Sequence, residues 1–181
     1  ALTLSDRGHA VTLFEASDHL GGQLNFADFA SFKSSLAAYK RWLIAQVQRR
    51  PIAVRFQCRP TAQQLKSEGY QAVVAALGAA PVELPIPGAE EAIPAPEIFC
   101  DTPPSGQKIT IIGGGRVGCE AALFLAQREK NVTVIEMQSK VLSDASPSYR
   151  SRLLRNITAM GDQIQLIPNA RCISIGKETR Y

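Results

Sequence analysis

The 181 residues carry 20 Lys and Arg against 16 Asp and Glu, and 45% of them are apolar, enough for a packed core. The longest apolar run, residues 72–82, is broken by Gly78 and Pro81 and falls well short of the ~20 residues that cross a bilayer. Basic residues gather loosely at Arg41, Arg49, Arg50, Arg55 and Arg59 and again at Arg150, Arg152 and Arg155, without interleaved aromatics or a reading module, which argues against a nucleic-acid partner.

In chain order, residues 1–6 read as the end of a helix stopped by Gly8, and residues 9–15 as a buried strand. A helix without a strand before it points to missing chain upstream. The opening residues have neither the basic start nor the cleavage site of a secretory signal, so a cytoplasmic protein with no membrane partner is expected. Leu36, Tyr39, Leu43 and Val47 mark one face of an amphipathic helix over 32–48. Thr61 and Gln64 have capping-box spacing, and residues 70–77 form a compact apolar strand ending at Gly78. Seven prolines crowd residues 79–107, the composition of a crossing between domains, which places the boundary near Ser105 and the domains at 1–104 and 105–181. Beyond it come a strand at 108–112, a glycine turn, an amphipathic helix at 117–130 and a strand at 131–136. A helix opened by Ser146-Pro147 and stopped by Gly161 follows, then short strands at 163–167 and 170–175. The alternation predicts Rossmann-like three-layer α/β domains with parallel sheets, both incomplete. VTLFE at 11–15 and VTVIE at 132–136 look like equivalent strands of two similar units.

Chemistry concentrates in Gly113-Gly114-Gly115-Arg116-Val117-Gly118, a G-x-G-x-x-G run between strand and helix with Glu136 at the end of the next strand. Gly113 suits the tight turn, Gly115 lacks the Cβ that would block a pyrophosphate, and Gly118 permits close helix–strand packing. The helix start offers N–H groups and partial positive charge to the phosphates. Glu136 would accept from a ribose 2′-hydroxyl and repel a 2′-phosphate, favouring NADH over NADPH, although Lys140 or Arg116 could answer such a phosphate. The bland alternative is a strand-to-helix turn with no ligand and a solvated Glu136. Glu120 is expected to serve the helix dipole and Cys119 to pack. The four cysteines, Cys58, Cys100, Cys119 and Cys172, form no C-x-x-C pair, so buried thiols are expected rather than a metal site or dithiol chemistry. His9 and His19 are isolated, and no catalytic side chain is assigned.

These segments resemble the NADH:flavin oxidoreductase and 2,4-dienoyl-CoA reductase family, among the two-dinucleotide-binding, pyridine nucleotide-disulfide oxidoreductase-like flavoproteins, over nearly the whole chain. The likeness rests on ALTLSDRGHAVTLFEAS, on LGGQL at 20–24, on Ala76-Leu77-Gly78-Ala79 followed by Ile86-Pro87-Gly88, and on IIGGGRVGCEAA with VTVIEM. It implies FAD contacts at Glu15, Gly21, Gly22, Ala76 and Gly78, and NAD contacts at Gly113 to Gly118 and Glu136. Leu77 stands where the family has threonine and Gln71 where aspartate is usual. The resemblance further implies a parent enzyme with an N-terminal barrel carrying FMN and an iron–sulfur cluster, electrons passing from NAD(P)H to FAD and onward. This chain would be an inactive fragment of that parent. Two other functions compete: a module holding ADP structurally, as in related amine dehydrogenases, and a non-catalytic piece that pairs through exposed sheet edges.

Overall fold

The computed structural model describes residues 1–82, 84–99, 102 and 104–176, and these fall into two compact units that divide between Ala80 and Pro81. The proline-rich segment belongs to the second unit, so the division lies well before the boundary expected at Ser105. The reason is packing. Ile98 and Phe99 are buried, and the Phe99 ring meets the Phe124 ring at 5.3 Å between centroids.

The first unit is an α/β unit with a two-stranded parallel sheet. Helix α1 (Leu2–Asp6) ends before Gly8, whose φ of +82° turns the chain into strand β1 (Val11–Phe14). A short helix α2 (Leu24–Ala27) and the long helix α3 (Ser34–Gln48) follow. Strand β2 (Ile52–Arg55), which the sequence reading did not identify, pairs with β1 in parallel, Val11 opposite Ile52 and Phe14 opposite Arg55. Parallel strands need a crossover, and α3 is its main part. Helix α4 (Ala62–Ser67) carries the expected box: Gln64 N–H donates to Thr61 Oγ1 at 3.2 Å, and Thr61 N–H to Gln64 Oε1 at 2.7 Å. Burial in this unit is thin: only Asp28 and Ala30 are buried, and Asp28 is paired there with Lys40 at 2.7 Å.

Residues 70–77 are not a strand. They make no ladder hydrogen bonds, and Val73, Val74 and Leu77 are 61%, 72% and 95% exposed. Their apolar, β-branched composition suits a buried sheet position, but composition makes a strand only when a neighbour supplies the ladder. β1 and β2 pair with each other and leave this run unpaired.

In the second unit a short helix α5 (Ala95–Ile98) leads to strand β3 (Lys108–Ile112), helix α6 (Arg116–Ala126), strand β4 (Asn131–Ile135), helix α7 (Pro147–Ala159) and strand β5 (Ile164–Ile167). The sheet order is β3-β4-β5, all parallel, with Ile111, Val134 and Leu166 in one row. This is the Rossmann-like alternation expected. Helix α6 is more deeply set than an amphipathic surface helix, because every residue from Cys119 to Ala126 is buried. It stops at Ala126, short of the expected Lys130, where Glu129 takes a left-handed φ of +63°. The expected strand at 170–175 is also absent. Ala170 N–H donates to Glu136 O and Ile175 N–H to Pro87 O, two isolated bonds in place of a ladder. No helix among the described residues is long and apolar enough to cross a membrane.

Phe124 anchors this core. It is fully buried, meets Phe99, and lies 3.6 Å beneath the Arg128 guanidinium. Phe124→Ala is expected to cost about 3–5 kcal/mol, the usual range for an emptied aromatic site. Urea denaturation followed by circular dichroism measures it, and a loss under 1 kcal/mol would show that the core does not close around this ring.

Candidate functional site

The site of greatest chemical content lies at the carboxyl end of β3 and β4, where ligands of open parallel sheets bind. β3 ends at Ile112, and Gly113 turns with φ of +104°, its N–H donating to Ile135 O at 2.8 Å. That bond joins the turn to the end of β4. Five residues on, a Cβ at Gly118 would stand 1.9 Å from Gly113 O and 3.3 Å from Ile111 Cγ2. No side chain fits there. A Cβ at the buried Gly114 would stand 2.8 Å from Val141 Cγ1 and 2.9 Å from Glu136 Cβ.

Gly115 differs from these. Its φ of −69° with ψ of −173° is extended backbone open to any residue, and it stands as the N-cap of α6. The nearest atoms to a Cβ there belong to the Asp144 carboxylate, at an ordinary contact distance of 3.5 Å. The fold therefore requires glycine at 114 and 118 but not at 115. Arg116 and Val117 are exposed at the start of α6, and the N–H groups of this first turn have no carbonyl below them in the helix.

Glu136 sits directly after β4 and is 8% exposed. Its Oε2 accepts from Gly114 N–H and its Oε1 from Gln138 N–H, both at 2.7 Å. It is not the solvated strand end of the bland reading. The carboxylate ties the glycine turn to the end of β4, and each oxygen can accept a second donor.

Three features were not legible in the sequence. Asp144, from the loop after β4, accepts from Arg116 N–H at 2.9 and 3.2 Å through its two oxygens. Leu142 is fully buried, adopts a left-handed φ of +58° and donates its N–H to Gly114 O at 2.7 Å. Glu120, expected to face the helix dipole, is 5% exposed and accepts from the Tyr149 hydroxyl. Burial, and then that bond, push the Tyr149 hydroxyl well above its ordinary range. Only a register of α6 against α7 could have revealed the pair, and the sequence carries no such signal. A depression of about 350 Å³ lined by Lys108, Asn131, Asp162 and Gln165 lies at the amino ends of β3 and β4, away from the glycine turn.

Cys119 packs as expected. It is fully buried, its thiol donates to Gly114 O at 3.3 Å, and burial aided by the charges of Asp144, Glu136 and Glu120 pushes it up to about 12. Cys58 and Cys172 are only half-buried and unpaired by disulfide, contrary to the expectation of buried thiols throughout, and Cys100 lies outside the described residues.

In the first unit Glu15 Oε1 accepts from both Ser17 N–H and Ser17 Oγ at 2.9 Å, and the Ser17 backbone bond foremost holds this carboxyl below its usual range. Gly21 has φ of +125°, and a Cβ there would stand 2.4 Å from Asn25 Oδ1; Gly22 faces open space. Gln23 Nε2 donates to Ala79 O at 2.7 Å and lies 3.7 Å from a Cβ position at Gly78. One glutamine side chain thus brings the Gly21–Gly22 turn and the Ala76–Ala79 segment together. The Glu15 carboxylate bonds within its own loop and to neither of these.

Against known proteins, the model of a family described as pyridine nucleotide-disulphide oxidoreductase matches residues 1–179. An NADH oxidase of Thermoanaerobacter brockii is 32% identical over 170 residues, covering 89% of this chain and 26% of that protein. A cinnamate reductase of Clostridium sporogenes is 34% identical over 141 residues, 78% of this chain and 21% of that protein. Among solved structures, a 2-naphthoyl-CoA reductase superposes with a TM-score of 0.83 at 23% identity, over 97% of this chain and 27% of its own, a likeness of fold. The chain spans about a quarter of the length of these relatives.

The geometry around α6 predicts two outcomes. Cys119 should resist a soluble thiol reagent at pH 8 in the folded chain while Cys58 and Cys172 react, and rapid modification of Cys119 would contradict its burial. Gly118→Ala should destabilise the second unit by about 2 kcal/mol or more, since backbone must shift to admit the methyl; an unchanged thermal midpoint would mean the helix can lift from β3 freely.

Proposed function

The chain belongs to the pyridine nucleotide-disulphide oxidoreductase family, and on that footing we propose that it is the dinucleotide-handling part of an enzyme passing a hydride from NAD(P)H to FAD. The observation that carries this reading is Gly115. A strand-to-helix connection accounts for glycine at 113, 114 and 118, but at 115 the backbone is extended and a Cβ meets its neighbours only at ordinary contact distance. A diphosphate approaching the start of α6 would exclude a side chain there.

In this reading Gly113, Gly114 and Gly118 shape the turn and Gly115 gives the diphosphate access to the backbone. Arg116 and Val117 present the first helical N–H groups to it. Glu136, held in place by Gly114 N–H and Gln138 N–H, accepts from the adenosine ribose and disfavours a 2′-phosphate, which makes NADH the preferred donor. In the first unit Glu15, Gly21, Gly22, Ala76 and Gly78 contact FAD, supported by the Gln23 link between the two glycine segments and by a Glu15 carboxylate that stays ionised. Bound nicotinamide and flavin supply the hydride chemistry between them, so the chain contributes position and charge rather than an acid or base. To the remainder of a longer cytoplasmic polypeptide we assign the barrel, FMN and iron–sulfur cluster that the family resemblance implies, and with them the choice of final acceptor. The domains are assigned as FAD-binding before the proline-rich segment and NAD-binding after it.

Gly115→Val tests the carrying observation. It should lower stability by no more than about 1 kcal/mol, the scale of a changed N-cap, yet abolish NADH binding measured by calorimetry. Undiminished affinity would remove the reading. Glu136→Arg should move the NADH to NADPH preference at least tenfold toward NADPH, and an unchanged ratio would mean that Glu136 does not face the ribose. ADP binding as tightly as NADH would favour a structural nucleotide module instead.

A further inference from the structure

The first donor of α6 already has an anion. Arg116 N–H donates to both oxygens of Asp144, a residue 28 positions further along the chain. The same carboxylate is what a Cβ at Gly115 would meet, at 3.5 Å, so it covers the face of Gly115 through which a diphosphate would approach. An ordinary N-cap is supplied by the residue that begins the helix. Here Gly115 holds that position without a side chain, and the capping carboxylate comes from the far side of β4.

Exposure distinguishes Asp144 from the other acids of the turn. The thiol of Cys119 feels Asp144, Glu136 and Glu120 together, which places three carboxylates around one helix start. Glu136 and Glu120 are buried and bonded to Gly114 N–H and to Tyr149. Asp144 alone of the three is exposed. Two residues before it, Leu142 is fixed by burial and by its bond to Gly114 O, and α7 begins at Pro147. The exposed Asp144 side chain can therefore turn into water while Leu142 stays packed on one side of it. Leu142 holds its left-handed conformation at some cost, as residues at ligand-binding sites often do.

We propose that Asp144 is a built-in competitor for the diphosphate seat: its carboxylate satisfies the start of α6 when no nucleotide is present and must swing away for one to bind. This rests on the dinucleotide reading of the glycine turn. Asp144 already occupies the N–H that a phosphate would use, and left in place it would repel the incoming phosphates across a few ångströms. A ligand must therefore outbid a carboxylate that is already seated. A dinucleotide does so with two phosphates and a ribose on Glu136, whereas a simple monoanion gains little by the exchange. Asp144 would thus set the affinity of the site and its selectivity against small anions.

The test is NADH titration by calorimetry of the full chain and of Asp144→Asn and Asp144→Ala, with thermal melts of each. Asn keeps the shape and removes the charge; Ala removes the occupant. Both variants should bind NADH about fivefold more tightly than wild type, on the scale of one capping interaction, and both should melt at or below the wild-type midpoint. If Asp144→Ala does not fold, Asp144→Asn decides alone. Wild-type binding with equal or weaker binding by Asp144→Asn overturns the competition and leaves the dinucleotide reading standing. Absence of NADH binding in every form overturns both.

Discussion

The second unit is organised by how closely α6 lies against β3. At Gly118 the helix passes the carbonyl of Gly113 with no room for a methyl group, a position where an added Cβ would stand 1.9 Å from oxygen. That approach lets the chain turn from strand to helix within three residues and brings the helix start to the carboxyl end of the sheet. It also sets the core. With α6 pressed down, Cys119 to Ala126 are all buried, and Phe124 reaches Phe99 on the proline-rich segment. The anion-attracting end of the helix and the unit's packing therefore have one origin.

Around this turn the protein balances negative groups against backbone donors. Glu136 takes Gly114 N–H, Asp144 takes Arg116 N–H and Glu120 takes the Tyr149 hydroxyl. Two of these acids are buried, where an unpaired carboxylate would be costly, and each is given a donor. The third is exposed. The turn is thus satisfied by the protein's own acids, with the exposed one bonded to the first N–H of α6.

Much of the second unit was legible in the sequence because its signals are local. β3 has the bounds read from KITII, and Ser146-Pro147 with Gly161 located α7 to within a residue or two, since caps and breakers act on their own neighbours. The strands at 70–77 and 170–175 were misread because a strand exists only through a partner, and local composition cannot report whether one is present. β2 was overlooked for the converse reason: Ile52 to Arg55 is short and mixed, and becomes a strand by lying beside β1. At the site the same division holds. The glycine run and Glu136 follow a known spacing, whereas Asp144 reaches α6 only through the folding of the β4–α7 loop and Tyr149 only through the packing of α7.

The contrast between Gly115 and Gly118 bears on how such a domain can age. A descendant that no longer handled nucleotides would still be held to glycine at 118 by its own architecture, while position 115 would be released to drift toward serine, alanine or larger residues without loss of the fold. On the proposed reading, residue 115 is a marker of retained trade and residue 118 a marker of retained form. In copies of this domain reduced to scaffolding, the two should part company.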